Sequence, residues 1–483
     1  MQPLAESVRI AAPELVLATG AMVLLMIGVF RGAKSFVGLT WGAVVIYAIA
    51  GLSMLNDGPS ALAFDGLYIS DAYSAFLKVL ILTAAAVCSI IAIPYLTRAR
   101  SDKFEYPVII MLAALGMCMM VSANDLLSLY IGLELQSLAA YVLAAFHRNE
   151  ARSSEAGLKY FVLGALASGI LLYGISLVYG FTGTTSFTVL GTLLTSEPSV
   201  GVVIGLVFIL AGLAFKVSAV PFHMWTPDVY QGAPTPVAAF FASAPKAAAM
   251  GLLVRVCMDA FGGMVSEWQQ VIAFAAIASM ILGAVGAIGQ TSIKRLLAYS
   301  SINNIGFALI GLAAATTEGV SGVLFYMAIY LPMTIGAFLV VLALRGPDGQ
   351  PVDTMDSLAG LARARPGLAA AMAVFMFSLA GIPPLFGFFP KFAVFNAAIS
   401  AEMYVLAVIG VVTSVVGAFY YLRVIKLAYF DEPAGPAQTG PQESNVNRTV
   451  MGAMALFVSP VGLLAIPLIV PAAENAARAM LQY

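Results

Sequence analysis

Four ionisable residues lie deep within long apolar runs, and one carboxylate with three amines is a set that can hold and release protons. Glu134 stands about ten residues after Asn124, where its run begins. That spacing corresponds to about 15 Å of helix, close to the middle of a ~30 Å hydrocarbon core. Lys216, Lys246 and Lys391 lie at similar depth in other runs. Each such group costs on the order of 2.5–3.5 kcal/mol even on a lenient insertion scale, so each needs a partner and marks a candidate functional site.

A carboxylate and an amine can move a proton together because each responds to the charge of the other. Burial favours the neutral form of a lysine, whereas a nearby carboxylate favours its charged form. A Glu–Lys pair that opens and closes can therefore switch a neighbouring lysine between the two forms. We expect a proton relay of Glu134, Lys216, Lys246 and Lys391, with Lys159 and His223 as second-tier candidates. The alternative is that these lysines only tie helices together by salt bridges.

The composition excludes most other classes of protein. The 483 residues are 61% hydrophobic and 10% charged, whereas a soluble domain carries about 25% charged residues. We therefore expect an all-α polytopic membrane protein in contact with the lipid bilayer. A net charge of −1 argues against nucleic acid as a partner.

No pattern for a cofactor or metal is present in the sequence. The cysteines (Cys88, Cys118 and Cys257) stand singly in apolar runs, which excludes a cysteine-ligated iron–sulfur cluster. Two histidines (His147 and His223) are too few for a haem or a di-metal site of the usual kind. We expect no cofactor and no metal in this chain.

Apolar runs predict about 14 transmembrane helices. The runs are 13–30, 36–55, 73–96, 105–121, 125–146, 156–181, 200–223, 236–260, 269–289, 298–315, 320–344, 366–400, 403–426 and 449–471. The lysines and arginines between spans lie only in the odd-numbered loops. The positive-inside rule then places the odd loops in the cytoplasm and both termini on the periplasmic side.

Two of these spans are predicted to be broken. A straight helix over 366–400 would be about 50 Å long, so the segment Gly381–Gly387, which contains Pro383 and Pro384, must interrupt it. Pro221 interrupts the seventh span in the same way, shortly after Lys216. Broken helices at membrane depth line cavities and are recurrent in transporters with inverted repeats.

The positions of the two breaks predict the domain organisation. The seventh and twelfth spans are five apart, which predicts two inverted five-helix repeats, spans 4–8 and 9–13. The expected parts are an N-terminal three-helix segment (1–104), a first repeat (105–260), a second repeat (261–430), and a loop with a C-terminal transmembrane helix (431–483).

Helix ends give the lysines different expected surroundings. Lys216 ends the first half of a broken helix, where unpaired carbonyls favour a cation. Lys391 follows Pro390, which suits the opening of a helix, so it lies at the end where a cation is disfavoured. Lys78 and Arg255 lie nearer to span ends, and we expect them to extend outward, Arg255 beside Asp259.

Several motifs resemble one known family. They are Gly132–Leu138, Phe215–Lys216 with Thr226–Thr235, Ser243–Lys246, Ser292–Ile302 and Ala380–Pro384. In this order, and over nearly the whole chain, they resemble the antiporter-like membrane subunits of bacterial NADH–quinone oxidoreductase (respiratory complex I), most closely the N type. The related M type usually has a glutamate where this chain has Lys391.

The resemblance implies a proton-translocating subunit of complex I in the bacterial inner (cytoplasmic) membrane. Glu134 would modulate Lys216, Lys216 would exchange protons with Lys246, and Lys391 would connect to the outer exit. NADH oxidation and quinone reduction, with FMN and the iron–sulfur clusters, would belong to partner subunits. Those partners include peripheral subunits and neighbouring antiporter-like subunits.

Two other functions use the same residues. A cation/proton antiporter subunit without redox coupling could carry the same charges, and a scaffold or quinone-contacting subunit could bury them without moving a proton. Co-purification with flavin and iron–sulfur subunits distinguishes the first, and proton pumping by lysine variants distinguishes the second.

Overall fold

The chain is described from a computed structural model, which covers residues 4–54, 60–194, 198–346, 350–432 and 444–481. Helices dominate these ranges. The strands β1 (Ala61–Ala63) and β2 (Tyr68–Ser70) form an antiparallel hairpin in which Leu62 pairs with Ile69. The predicted all-α membrane class is confirmed, with this hairpin as a small addition.

The helices up to the first break are α1 (Leu4–Ile10), α2 (Ala12–Arg31), α3 (Phe36–Ser53), α4 (Ala72–Arg98), α5 (Glu105–Val121), α6 (Leu126–Ala144), α7 (Ala151–Thr182), α8 (Phe187–Leu193) and α9 (Val200–Val217). Those that follow are α10 (Trp225–Gly232), α11 (Thr235–Phe241), α12 (Ala244–Arg255), α13 (Val265–Ile288), α14 (Ile293–Ala313), α15 (Thr317–Ala343), α16 (Leu361–Ala364), α17 (Pro366–Ala380), α18 (Phe388–Ser400), α19 (Tyr404–Tyr429), α20 (Asn445–Val458) and α21 (Ile466–Met480).

Within the described ranges, 12 helical segments are long and apolar enough to cross a membrane. Two shorter apolar helices, Glu105–Val121 and Pro366–Ala380, complement them. Both shorter helices fall within predicted spans, the fourth and the twelfth. The multi-span character is therefore confirmed, whereas the number 14 and the inverted repeats remain predictions.

The chain forms two compact units. The first unit comprises Met1–Val217, Ala244–Ile272 and Pro471–Tyr483, and the second comprises Ser218–Ser243 and Ala273–Val470. The predicted parts 1–104, 105–260, 261–430 and 431–483 remain predictions.

Glycines bring two helices of the first unit unusually close. A Cβ atom on Gly116 of α5 would lie 2.5 Å from the backbone nitrogen of Gln136 on α6. A Cβ on Gly132 of α6 would lie 2.9 Å from the nitrogen of Met120. Such close packing by small residues is typical of membrane helices. It holds the part of α6 that carries Glu134 firmly against α5.

Both predicted breaks are present, and each begins with a left-handed residue. α9 ends at Val217, after which Ser218 has φ +63°. α17 ends at Ala380, after which Gly381 has φ +81°. A residue in this conformation ends a helix because the next N–H groups turn back to its last carbonyls. The helical path resumes at α10 and α18.

Two further interruptions were not predicted. The eighth apolar run is divided between α11 and α12, and α12 has Pro245 as its second residue. The last run, predicted as one span over 449–471, is divided between α20 and α21 near Pro460. Proline suits the first turn of a helix, where its missing N–H leaves no bond unmade. An apolar run predicts the length of a span but not the residue at which its helix is interrupted and begins again.

Candidate proton relay site

Lys216 lies in the last turn of α9 with its side chain buried. Its Nζ donates a hydrogen bond to Ser137 Oγ on α6 at 2.7 Å. Ser137 Oγ in turn donates to the Leu133 carbonyl at 2.6 Å. The ammonium group also lies 5.8 Å from the centre of the Tyr141 ring. The sequence suggested that unpaired carbonyls at the end of α9 favour a cation at Lys216, but the side chain contacts a hydroxyl of α6, because helix side chains point back toward the N-terminus.

Glu134 lies on α6, one turn before Ser137, and its side chain is partly buried. Ser137, one turn further along α6, is the residue that binds Lys216, and Glu134 itself does not form a direct ion pair with this lysine. Glu134 Oε1 is buried and has no hydrogen-bond partner among the described residues. The structure thus brings the predicted Glu134 and Lys216 together in an open arrangement, with a hydroxyl holding the lysine.

Lys246 is the third residue of α12 and is only 1% exposed. Its Nζ donates to the Val217 carbonyl at 2.9 Å. Val217 is the last residue of α9, where carbonyls lack helical partners and the helix dipole favours a cation. Lys246 thus takes the position at the end of α9 that we expected for Lys216.

Lys391 is the fourth residue of α18, in the second unit. Its Nζ donates to the Leu379 and Ala380 carbonyls at 2.9 and 3.1 Å, and to Ser414 Oγ at 3.5 Å. The ammonium lies 4.5 Å from the centre of the Phe307 ring. Although Lys391 opens one helix, its side chain reaches the carbonyl end of α17, which compensates for the unfavourable position that the sequence suggested.

Gly381 makes room for that arrangement. A Cβ atom there would lie 2.9 Å from Lys391 Cδ and 3.3 Å from Nζ. Its φ of +81° also disfavours any residue with a Cβ. The glycine therefore ends α17 and admits the lysine to its last carbonyls.

The second-tier candidates lie elsewhere. Lys159 is 42% exposed on α7 and pairs with Glu155 at 2.7 Å, so it is not part of the buried Glu134–Lys216 group. His223 lies in the segment between α9 and α10 and is half-buried. Its Nδ1 is buried and has no hydrogen-bond partner among the described residues. The structure thus places Lys159 in an ion pair on α7 and His223 in the break between α9 and α10.

The expectation for Lys78 is corrected, because its side chain is buried in the first unit. Its Nζ lies 2.8 Å from Glu14 Oε1 and donates to the Tyr68 hydroxyl at 2.7 Å. That hydroxyl donates to Glu14 Oε2 at 2.7 Å, which closes a ring of three groups. A buried cation is tolerated when a carboxylate pairs with it. The only signal in the sequence was that Glu14 and Lys78 both follow starts of spans on the same predicted side.

Arg255 is also buried, and its main partner was missed. Its Nη2 donates to both carboxylate oxygens of Asp71 at 2.9 and 2.8 Å, and the predicted partner Asp259 is 3.9 Å from Nη1. The Arg255 guanidinium stacks 4.8 Å from the centre of the Tyr73 ring. Asp71 begins α4 and is distant in sequence from α12, so only the fold shows this pair.

Contacts between loops agree with the predicted sorting into two sides. Arg295 pairs with Asp228 at 2.6 Å, which joins two odd-numbered loops of the second unit. Asn124 Nδ2 donates to the Gly66 carbonyl at 2.9 Å, which joins two even-numbered loops of the first unit. These contacts agree with the prediction that loops of the same parity lie on the same side of the membrane. Which side is cytoplasmic remains a prediction.

Comparisons with known proteins identify the family. The family model "NADH:quinone oxidoreductase/Mrp antiporter, TM" matches residues 123–417. NADH-quinone oxidoreductase subunit N of Rhizorhabdus wittichii is 58% identical, over 98% of this chain and 99% of that protein. The chain belongs to the NADH-quinone oxidoreductase subunit N family. Subunit N 1 of Rhizobium meliloti is 54% identical, over 99% of both chains.

Solved structures support the same family, and the same fold also occurs in a protein outside it. A chain of respiratory complex I from Thermus thermophilus with bound aureothin aligns with a TM-score of 0.80 and 33% identity, over 95% of this chain and 98% of that one. A chain of the Mrp complex from Dietzia sp. aligns with a TM-score of 0.85 and 22% identity, over 98% and 99%. The second likeness shows a shared fold alone. The resemblance found in the motifs is confirmed, and the chain is a membrane subunit of NADH-quinone oxidoreductase.

Proposed function

We propose that this subunit translocates protons through Glu134, Lys216, Lys246 and Lys391, driven by NADH oxidation and quinone reduction in partner subunits. The observation that carries the proposal is the open Glu134–Lys216 pair. Glu134 lies one turn before Ser137 on α6, and the Ser137 hydroxyl accepts the hydrogen bond of the Lys216 ammonium. Because the two charged groups lie on neighbouring parts of the site without a direct ion pair, the pair can exist in two arrangements at small cost.

The two arrangements of the pair give Lys216 different affinities for its proton. When Glu134 approaches, the carboxylate stabilises the ammonium form, because attraction between opposite charges is strong in a medium of low dielectric. When Glu134 withdraws, burial favours the neutral amine. The proton then leaves Lys216 for the next group of the relay, which we take to be Lys246.

Lys246 supplies the link between protonation and the end of α9. A charged Lys246 stabilises the Val217 carbonyl and the negative end of α9, and a neutral amine does so less well. Loss of its proton therefore loosens the last turn of α9, on which Lys216 lies. This coupling favours a sequence in which the two lysines are charged in turn.

Lys391 repeats this arrangement at the end of α17 and would connect the relay to the outer exit. Its ammonium is shared by two terminal carbonyls and a hydroxyl. Release of its proton would leave the carbonyls of Leu379 and Ala380 without their cation, so protonation of Lys391 is coupled to the end of α17. We take the outer side to be the acceptor of that proton.

The proposal also includes the partner subunits, the membrane and the orientation of this subunit. FMN and iron–sulfur clusters belong to partner subunits, and the membrane is the bacterial inner membrane. The odd-numbered loops face the cytoplasm and both termini face the periplasm. Fusion of alkaline phosphatase to the C-terminus tests that orientation, since this enzyme is active only when exported; an inactive fusion in an assembled complex would contradict it.

Proton pumping in inverted vesicles tests the proposal directly. Lys216→Ala and Lys246→Ala should each lower the protons pumped per NADH oxidised, while an artificial electron acceptor is still reduced normally. Lys103→Ala, in an exposed loop of the first unit, is the control and should leave pumping unchanged. Unchanged pumping in both lysine variants would favour a scaffold role.

A further inference from the structure

The last predicted span is interrupted in the second unit, which also contains the break between α17 and α18. α20 ends at Val458, and Ser459 has an extended ψ of 177°. Proline disfavours the helical conformation of the residue before it, so Pro460 accounts for the end of α20. The chain then forms the short 3-10 helix Pro460–Ala465 before α21 begins. We name Val458–Gly462 the last-span break.

The end of α20 leaves the carbonyl of Val458 without its helical partner. In a continuous helix, this oxygen would accept from the N–H of Gly462, four residues further on. Gly462 N instead donates to the Ser459 carbonyl at 3.0 Å. Within a membrane span, a backbone carbonyl that loses its partner is costly unless another donor replaces it. The last-span break therefore creates an acceptor that a neighbouring segment must satisfy.

The donor comes from the break between α17 and α18. Phe386 N donates to the Val458 carbonyl at 3.0 Å. Both residues are fully buried, where an unmade backbone hydrogen bond would carry its full cost. Each break thus satisfies a backbone group of the other.

Ring packing reinforces this contact. The centre of the Phe386 ring lies 5.5 Å from that of Phe457 on α20 and 6.0 Å from that of Phe325 on α15. Aromatic pairs at such distances attract one another. A Cβ atom on Gly462 would lie 2.8 Å from Phe386 Cδ1. The ring of Phe386 therefore fits directly against the backbone of the last-span break.

Phe386 also supports the helix that carries Lys391. Its carbonyl accepts from Phe389 N at 3.2 Å, in the first turn of α18. Lys391 lies two residues after Phe389, and its ammonium reaches back to the last two carbonyls of α17. The position of Phe386 therefore sets the distance across the break that the side chain of Lys391 must cover.

Two other hydrogen bonds of the break between α17 and α18 are local. Ile382 N donates to the Phe377 carbonyl at 3.1 Å, and Gly387 N donates to Ser378 Oγ at 3.1 Å. Both acceptors belong to α17, so these bonds hold the break to its own helix. The bond to the last-span break differs because it holds the same segment to another span.

Stability alone does not require this arrangement. A last span without an internal proline would satisfy its own carbonyls, as an uninterrupted helix does. The chain instead has Pro460, and the carbonyl that this proline leaves open is used by the segment that begins α18. The interruption therefore serves the break between α17 and α18 rather than the last span itself.

We propose that the last-span break is a positioning element for Lys391, and that it acts through Phe386. It holds the start of α18 at the distance from α17 at which the ammonium reaches the terminal carbonyls. A change at the end of α17 that releases a proton must then break the Phe386–Val458 hydrogen bond or move α20 as well. This inference rests on the proposed function, because it requires that Lys391 gains and loses a proton.

Pro460→Ala tests the hydrogen bond, because alanine lets α20 continue and lets Gly462 N compete for the Val458 carbonyl. In the purified complex, we expect amide hydrogen exchange in 382–387 to become about fivefold faster, the factor for one lost hydrogen bond. In inverted vesicles, the number of protons pumped per NADH oxidised should fall, while an artificial electron acceptor is still reduced normally.

Pro467→Ala is the matched control for this variant. Pro467 is exposed and is the second residue of α21, where a proline leaves no helical hydrogen bond unmade. Its replacement should change neither the exchange in 382–387 nor the number of protons pumped per NADH.

Phe457→Ala tests the ring contact and leaves the backbone of the last-span break unchanged. Exchange in 382–387 should rise and pumping should fall, whereas Phe457→Leu, which keeps most of the apolar bulk, should restore most of the pumping. Leu456→Ala is the control, because this adjacent residue is 56% exposed. If Pro460→Ala does not assemble, the Phe457 series decides alone.

Two results would overturn the inference. Faster exchange with an unchanged number of protons per NADH would show that the last-span break is only structural. Unchanged exchange in both Pro460→Ala and Phe457→Ala would show that it does not hold the start of α18.

Lys391→Met, measured in the same vesicles, separates this inference from the proposed function. Slow pumping in Lys391→Met with normal pumping in Pro460→Ala and Phe457→Ala overturns the inference and leaves the function intact. Normal pumping in Lys391→Met overturns the proposed function and, with it, the inference.

Discussion

The first and second units surround their buried lysines in different ways. In the first unit, Lys216 donates to the hydroxyl of Ser137, which lies one turn after Glu134 on α6. In the second, Lys391 donates to two terminal carbonyls of α17. Under the proposed function, a side-chain carboxylate controls one site and the end of a helix controls the other.

This difference has a consequence for each site. A carboxylate on a side chain can approach or withdraw, so it can change the proton affinity of Lys216 within one conformation of the backbone. The carbonyls around Lys391 can change only if the end of α17 changes. The first site is therefore suited to respond to a signal, and the second is suited to hold a proton until the backbone or the outer side permits release.

The largest expected effect is at the break of the second unit. In Gly387→Ala, the new Cβ would overlap the carbonyl oxygen of Ser378, so we expect a loss on the order of 3 kcal/mol in unfolding free energy and little assembled complex. Gly367→Ala, near the start of α17 where a Cβ meets no neighbour, should assemble normally. Subunit levels in purified membranes measure both; full assembly of Gly387→Ala would show that this break is not rigid.

Lys391→Arg tests whether the second site needs a charge or a proton that can leave. Arginine stays charged at any physiological pH, so it can hold the carbonyls of α17 but cannot release a proton. We expect normal assembly and a fall in pumping of at least about tenfold, because one proton carrier is lost. Pumping like that of the unmodified complex would mean that Lys391 serves only as a helix cap.

A smaller effect is expected at Ser137 in the first unit. Ser137→Ala removes the acceptor that holds Lys216 away from Glu134, which costs about 1 kcal/mol for one hydrogen bond. The pair should then close more often, and pumping should slow by roughly fivefold, as 1 kcal/mol implies. Ser137→Thr keeps the hydroxyl and serves as the control. Identical rates for Ala and Thr would argue that the hydroxyl does not hold the pair open.

The smallest effect is expected at Lys159. Its side chain is partly exposed and paired with Glu155 within one helix, an arrangement worth only about 0.3–0.5 kcal/mol. Lys159→Met should leave the protons pumped per NADH unchanged. A clear loss would place Lys159 in the relay and would extend the first site toward α7.

The sequence predicts the breaks and the depth of the charges because both depend on local rules. Proline disfavours the interior of a helix, which made the breaks near Pro221 and Pro383 predictable, and the distance of Glu134 from the start of its run follows from helix rise. The partners of the charges depend on which helices meet, and no local rule gives that. Lys246 at the end of α9 and Asp71 beside Arg255 both required the fold.

The partners of buried hydroxyls in the second unit escaped prediction for a related reason. Serines and tyrosines in membrane helices are common and are more often structural, so Ser300 and Ser301 carried no distinct signal. Only the fold shows that Ser300 meets Tyr421 and that Ser301 meets Tyr330.

The central claim is that Glu134 controls the proton affinity of Lys216. The most direct measurement is the number of protons pumped per NADH oxidised by inverted vesicles that contain Glu134→Gln, an uncharged side chain of the same shape. We predict that this ratio falls, whereas Glu134→Asp, which keeps the charge, retains more of it. An unchanged ratio in Glu134→Gln, in a complex that assembles fully, would contradict the account.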